Sequence, residues 1–186
     1  MKNSTLSPLE LVTEALHFAA ERHAHQRRKG DAAEPYLNHL AEVACLVAAA
    51  TKGEDANLVA AGLLHDVVED TGTSRSEVAE RFGEDVASLV MEVTDDKSLP
   101  KAERKRLQVE HAAKKSARAK LIKLADKTSN LHAIAASPPA QWDSERCNDY
   151  LDWAQRVVSG LRGVNPALET QFDEAERKAR AAIASR

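Results

Sequence analysis

Residues 58–70, LVAAGLLHDVVED, carry an unbroken apolar run straight into one imidazole and three carboxylates. On a helix, the apolar residues of this run cover most of the circumference. A helix apolar all round must be central, with other elements packed about it. The spacing predicts one continuous helix over about 55–70, closed by Thr71-Gly72-Thr73. On such a helix His65 lies over Glu69 and Asp66 over Asp70, because residues four apart share a face. Carboxylates buried without partners are costly, and three together raise one another's pKa. A bound divalent cation resolves that conflict. A solvated helix end accounts for Glu69-Asp70 equally well; it accounts less well for His65-Asp66, which follow LVAAGLL directly.

Helix signals recur elsewhere. Ser7-Pro8-Leu9-Glu10 reads as an N-cap, a proline at N1 and a capping-box glutamate. Leu11, Val12, Ala15, Leu16, Ala19 and Ala20 follow at helical spacing. Residues 30–35 break the pattern and leave Arg27, Arg28 and Lys29 at a helix end or on a loop. Further helices are predicted over about 38–51, after the Ser74/Glu77 capping pair, on both sides of Gly83, over 98–115, from Ser116, from near Ser144 and from Asn165-Pro166. Pro138-Pro139 is a firm stop. No segment alternates with period two, so no strand is expected. Alanine is abundant and aromatic residues are only 4% of the 186, a mix that favours helices. The expected class is therefore all-α.

With 26 basic and 29 acidic residues, the balance argues against general nucleic-acid binding and leaves room for a local basic pocket. Cys45 and Cys147 stand far apart and form no close metal-type pair. There is no secretory-type apolar segment and no run of the roughly 18–20 apolar residues a membrane span needs. A cytoplasmic protein with reduced thiols and no membrane partner is expected.

Two more metal-binding residue types stand among apolar neighbours: His39 in PYLNHLAEVACLV and Asp126 in AKLIKLADKTSNL. Alone, His39 reads as a core histidine, and Asp126 as a cap or a salt-bridge partner of Lys123 or Lys127. Taken with His65 and Asp66 they make two imidazoles and two carboxylates, a set suited to Mn²⁺, Fe²⁺ or Zn²⁺ rather than to a thiolate metal.

The order His…His-Asp…Asp is the pattern of the HD phosphohydrolase superfamily. The strings QRRKG, PYLNH, GLLHDVVEDT, RFGEDVASLV, VTDDKSLPKAERKRLQVEH and KLIKLADKTSNL resemble the hydrolase domain of RelA/SpoT proteins, and in particular the stand-alone small alarmone hydrolases of the animal SpoT-homologue type. The resemblance spans roughly residues 8–165, and WDSERCNDYLDWAQRVVSGLRGVN matches the same subgroup. It implies an HD-domain helical bundle of about eight to ten helices, one hydrolase domain over 1–186 with a core at about 8–165 and a C-terminal helix over 166–186. It implies one Mn²⁺, with Fe²⁺ or Zn²⁺ as alternatives, held by His39, His65, Asp66 and Asp126. Glu69 and Asp70 take the place of the catalytic pair that orients or deprotonates the attacking water. Arg28, Lys29, Asn130 and Tyr150 take the places of residues beside the nucleotide. Lys101, Arg104 and Trp142 are weaker candidates, since a basic run such as Lys101, Arg104, Lys105 and Arg106 also makes an ordinary wet helix face.

The implied activity is removal of the 3′-diphosphate of (p)ppGpp, giving GDP or GTP and pyrophosphate. The same site would serve an NADPH 2′-phosphatase or a (p)ppApp hydrolase. An inactive nucleotide-sensing or interaction module is the alternative of another class, and the intact His and acid set argues against it. The chain departs from the family at Leu40, where proline usually follows the histidine, at Thr128-Ser129, which replace a bulkier pair, and in the loop 30–34. The last two bear on pocket shape and leave base preference open.

Overall fold

The computed structural model describes residues 6–185. Among them are ten α-helices and one 3₁₀ turn; the β pairing consists of two isolated bridges, Arg27 with Pro35 and Gly30 with Pro139. The expected all-α class is observed. Helix α1 (Pro8–Arg22) opens with the complete capping box of Ser7 and Glu10. Helix α2 (Tyr36–Ala50) starts on Pro35, without a side-chain cap.

The continuous helix expected over 55–70 is two helices. Helix α3 runs Ala56–Leu64 and α4 runs Val67–Thr71, with His65 and Asp66 at the junction. The cause is local. The His65 Nδ1–H donates to the Gly62 carbonyl at 2.9 Å. In an uninterrupted helix that carbonyl would accept from the Asp66 N–H. The break falls on His65 and Asp66, so the stacking of His65 over Glu69 on one continuous helix does not apply.

The remaining helices follow their caps. Helix α5 (Arg75–Phe82) is capped by Ser74, and α6 (Glu84–Val93) follows Gly83, whose φ of +90° favours glycine. The helix expected over 98–115 is shorter. It is α7 (Lys101–His111), starting after Pro100 and tightening into the 3₁₀ turn Ala112–Lys114. Helices α8 (Ala117–Ala136), α9 (Ser144–Ser159) and α10 (Pro166–Ala184) are capped by Ser116, Asp143 and Asn165.

Two helices form the centre. Every residue from Leu58 to Leu64 on α3 is buried, with α1, α2, α6 and α8 around it. Helix α8 is covered by α2, α6, α9 and α10, and α10 lies along it through Leu168, Phe172, Ala175, Ala179 and Ile183. Fully enclosed alanines such as Ala15, Ala60, Ala61 and Ala125 let the axes approach closely. Among the described residues no helix is long and apolar enough to cross a membrane. Gly30 pins the 30–34 loop to the end of α8: a Cβ there would lie 2.4 Å from the Ser137 carbonyl oxygen.

Phe172 is fully buried, so Phe172→Ala leaves a cavity at the α10 packing face. The expected loss is about 3–5 kcal/mol, read as a lower denaturant midpoint at unchanged slope. A loss below about 1 kcal/mol would mean that α10 stands outside the cooperative unit.

Candidate active site

Three elements meet at one point. The first turn of α2 supplies His39, the α3–α4 junction supplies His65 and Asp66, and the middle of α8 supplies Asp126. His39, His65 and Asp126 are buried, and one donor atom from each lies within 4.8 Å of the others. His39 Nε2 is 3.5 Å from Asp126 Oδ1 and 3.7 Å from Asp66 Oδ2. His65 Nε2 is 3.1 Å from Asp66 Oδ2. Asp66 thus borders both imidazoles but falls outside the three-residue donor group, and its Oδ2 accepts from the Tyr36 hydroxyl at 2.6 Å.

The imidazole tautomers follow from the outer nitrogens. His65 Nδ1–H is committed to Gly62, and His39 Nδ1–H to Ser129 Oγ at 2.9 Å. In the neutral form of each imidazole the Nε2 lone pair therefore faces inward. His65 Nε2 is buried without an aligned hydrogen-bond partner, a costly state that a cation would relieve. Burial, with the neighbouring His65 and Arg28 charges, pushes His39 down to about 3 against the pull of Asp126 and Asp66, so this imidazole is neutral. Burial alone would lower His65 too, but Asp66 and Asp126 raise it on balance. Burial opposes ionisation of Asp66, and the His65 charge outweighs it. Burial likewise opposes ionisation of Asp126, and Lys127 and Lys123 hold it below its usual range. The neutral His39 nitrogen beside ionised carboxylates fits a divalent cation, which on binding would displace the proton that Asp66 and Asp126 favour on His65.

The salt-bridge reading of Asp126 also holds. Lys127 Nζ lies 2.9 Å and Lys123 Nζ 3.8 Å from its Oδ2, and both lysines are buried.

Beside the centre opens a cavity of about 590 Å³. Glu69 and Asp70 stand on its wall. Glu69 Oε2 accepts the Asp95 N–H at 3.1 Å, and Arg104 reaches Oε1 at 3.4 Å. Burial raises the Glu69 pKa, the Asp66 and Asp95 charges add to the rise, and the Asp95 N–H opposes it. Asp70 accepts from the Gln26 amide at 2.8 Å and pairs with Lys97. Arg28, Lys29, Asn130, Tyr150, Lys101, Arg104 and Trp142 all line this cavity. Asn130 donates to Asp126 Oδ1 at 2.6 Å, and Arg28 donates to the Ser129 carbonyl. Tyr150 packs between Trp142 and Trp153 with ring centroids 5.6 and 5.3 Å away.

The basic run of α7 divides. Lys101, Arg104 and Lys105 line the cavity, whereas Arg106 is tied to Glu103 and Glu110 on the solvent side. Burial lowers the Lys101 pKa, and the crowding of Lys29, Arg146 and Arg104 lowers it further. Such like-charge crowding favours an anionic occupant.

Sequence reasoning passed over Tyr36, Glu42, Gln26, Lys97 and Arg146, and noted Ser129 only for its bearing on pocket shape. Three carried a usable signal. Tyr36 lies three residues before His39, Glu42 three after it, and Arg146 four before Tyr150, so each shares a helix face with a residue already singled out.

Comparisons with known proteins show the family to which this all-helical chain belongs. The HD domain family matches residues 15–149, and the chain belongs to it. A Drosophila melanogaster protein named guanosine-3′,5′-bis(diphosphate) 3′-pyrophosphohydrolase MESH1 is 50% identical over 92% of this chain and 96% of its own length. The Homo sapiens protein of that name is 49% identical over 85% of this chain and 88% of its own. A solved structure described as a metazoan ortholog of SpoT that hydrolyses ppGpp superimposes with a TM-score of 0.88 at 48% identity, covering 93% of this chain and 97% of that one. The HD domain implies a divalent metal, in keeping with the donor set here.

Lys127→Met removes the nearest cation from a buried carboxylate. Breaking a buried pair costs up to about 3–5 kcal/mol, with Lys123 retaining part of it. The metal-free variant should melt lower than metal-free wild type, and added divalent metal should narrow the gap. A calorimetric scan showing equal melting temperatures would remove Lys127 from the charge balance of Asp126.

Proposed function

We propose that the protein hydrolyses the 3′-diphosphate of guanosine-3′,5′-bis(diphosphate), taking up one water and releasing GDP and pyrophosphate. The observation that carries this reading is the adjoining of a buried two-imidazole, carboxylate-lined centre to a cavity crowded with cations and edged by aromatic rings. The names of the relatives support the same substrate.

In this reading His39, His65, Asp66 and Asp126 hold one Mn²⁺; Fe²⁺ or Zn²⁺ suits the same donors. When bound, such a cation would neutralise phosphoryl charge and acidify water. Glu69 accepts the proton of the attacking water. Its raised pKa brings it nearer to working pH, which suits a general base. Asp70, fixed by Gln26 and Lys97, orients that water. Lys101 and Arg104 take the diphosphates, where crowded cations gain from an anion. Arg28 and Lys29 clamp the nucleotide, Asn130 meets the ribose, and Tyr150 with Trp142 packs against its apolar faces. The substrate is a small-molecule nucleotide.

The deciding measurement is pyrophosphate release from ppGpp, ppApp and NADPH by one Mn²⁺-loaded preparation. Turnover of ppGpp is expected; intact ppGpp beside turned-over ppApp or NADPH would overturn the substrate assignment. Asp126→Asn should lose both metal and turnover. Glu69→Gln should keep its Mn²⁺ and lose about 10²–10⁴-fold in kcat. The base works ionised, so activity is present above the Glu69 pKa and falls as pH drops through it. A wild-type acid limb that persists unchanged in Glu69→Gln would exclude Glu69 as the base.

A further inference from the structure

One turn of α2 faces one turn of α8. His39 and Glu42 sit three apart on α2, and Ser129 and His132 sit three apart on α8. Their side chains form one hydrogen-bonded row along the interface. His39 Nδ1–H donates to Ser129 Oγ at 2.9 Å. The Ser129 hydroxyl donates to Glu42 Oε2 at 2.6 Å. His132 Nδ1–H donates to the other oxygen, Glu42 Oε1, at 2.6 Å. The row starts buried, at His39 and Ser129, and ends at Glu42 and His132, each with a side chain 37% exposed.

We propose that Ser129 and Glu42 are positioning residues that lock His39 in its metal-ready tautomer and strengthen its Nε2 as a ligand. The inference rests on the metal reading above. A serine hydroxyl can donate or accept. Left alone, Ser129 could donate to His39 Nδ1, which would move the imidazole proton to Nε2 and close that atom to a cation. Glu42 removes the choice. It claims the hydroxyl proton, so Ser129 can only accept from Nδ1–H. The negative charge one hydroxyl away also favours electron density on Nε2, as outer partners of ligating histidines do. His132 secures the far oxygen of Glu42. Its bond and that of Ser129 hold the Glu42 carboxyl below its usual range although burial works against them. His65 has no such row; its Nδ1–H goes to the fixed Gly62 carbonyl. His39 is the ligand whose tautomer depends on side chains.

The test uses full-length protein, stripped of metal, with Mn²⁺ alone as the probe. Affinity is read from the free-Mn²⁺ electron paramagnetic resonance signal in wild type, Ser129→Ala, Glu42→Ala and the double variant. Imidazole ¹⁵N shifts of the metal-free proteins report the tautomer. Each single variant should bind Mn²⁺ about 10–100-fold more weakly. The double variant should be no weaker than the worse single, within about twofold, because the two act in series. In Glu42→Ala part of the His39 proton should move from Nδ1 to Nε2 at an unchanged melting temperature, which a merely structural loss would not produce. Glu42 is half-exposed, so its variant decides the matter should Ser129→Ala fail to fold. Affinities within about twofold of wild type, or an unmoved His39 tautomer, overturn the proposal. Wild type that takes up no Mn²⁺ overturns the metal reading as well, which separates the two failures.

Discussion

The structure turns on one electrostatic constraint: two carboxylates and two imidazoles are enclosed where α2, α3 and α8 converge. Charges there cannot be left to water. Each consequence is visible in the surrounding side chains. Asp126 is backed by two buried lysines, Asp66 takes the Tyr36 hydroxyl, and both imidazoles direct their N–H groups outward. Two of the helices that meet there, α3 and α8, form the centre of the protein, so the scaffold that excludes water also places donors. Alanine-rich contacts keep that scaffold close-packed, and a shift of one helix would move the centre with it.

Much of this was legible in the sequence, for identifiable reasons. Caps at Ser7, Ser74, Ser116 and Asn165 are local hydrogen bonds between residues three apart, and local pattern is what a sequence displays. His39, His65, Asp66 and Asp126 stood out because polar groups interrupted apolar runs. The break between α3 and α4 was not legible. It depends on a side chain capturing a carbonyl of its own helix, and the apolar pattern of residues 58–68 is the same with or without it. The Glu42 contacts with Ser129 and His132 span 87 and 90 residues, so no window of sequence contains them. The α7 basic run lies between these cases. Lys101, Arg104 and Lys105 share a helical face at spacings of three and four, and Arg106 points elsewhere. Periodicity applied to the charges, and not only to the apolar residues, separates them.

The cavity wall completes the same logic with opposite sign. Near the centre the wall is acidic, at Glu69 and Asp70; beyond it the wall is basic, at Lys29, Lys101 and Arg146. The two zones are tied together by Arg104 against Glu69 and by Lys97 against Asp70. A small anion could satisfy the basic zone alone. A ligand carrying phosphate groups on a longer body, with a flat face for Tyr150 and Trp142, would reach from the buried donors to the far cations. The nucleotide diphosphate proposed as substrate has that form.

In the proposed metal reading, Asp126 would serve stability and chemistry together. Its two oxygens are divided. Oδ2 is held by Lys127 and, at longer range, by Lys123. Oδ1 faces His39 and accepts from Asn130. The lysines keep the carboxylate ionised, so it need not lose a proton when a cation arrives, while leaving one oxygen turned to the imidazoles. Asn130, three residues beyond Lys127 on the same helix, connects that oxygen to the cavity wall. Without the lysines the carboxylate would sit buried and unpaired whenever the centre lacked a cation. A second pair of lysines on the Oδ1 side would compete with the cation itself. In the proposed metal reading, the division of the two oxygens would let a helix as buried as α8 carry a ligand and still hold together before the ligand is used.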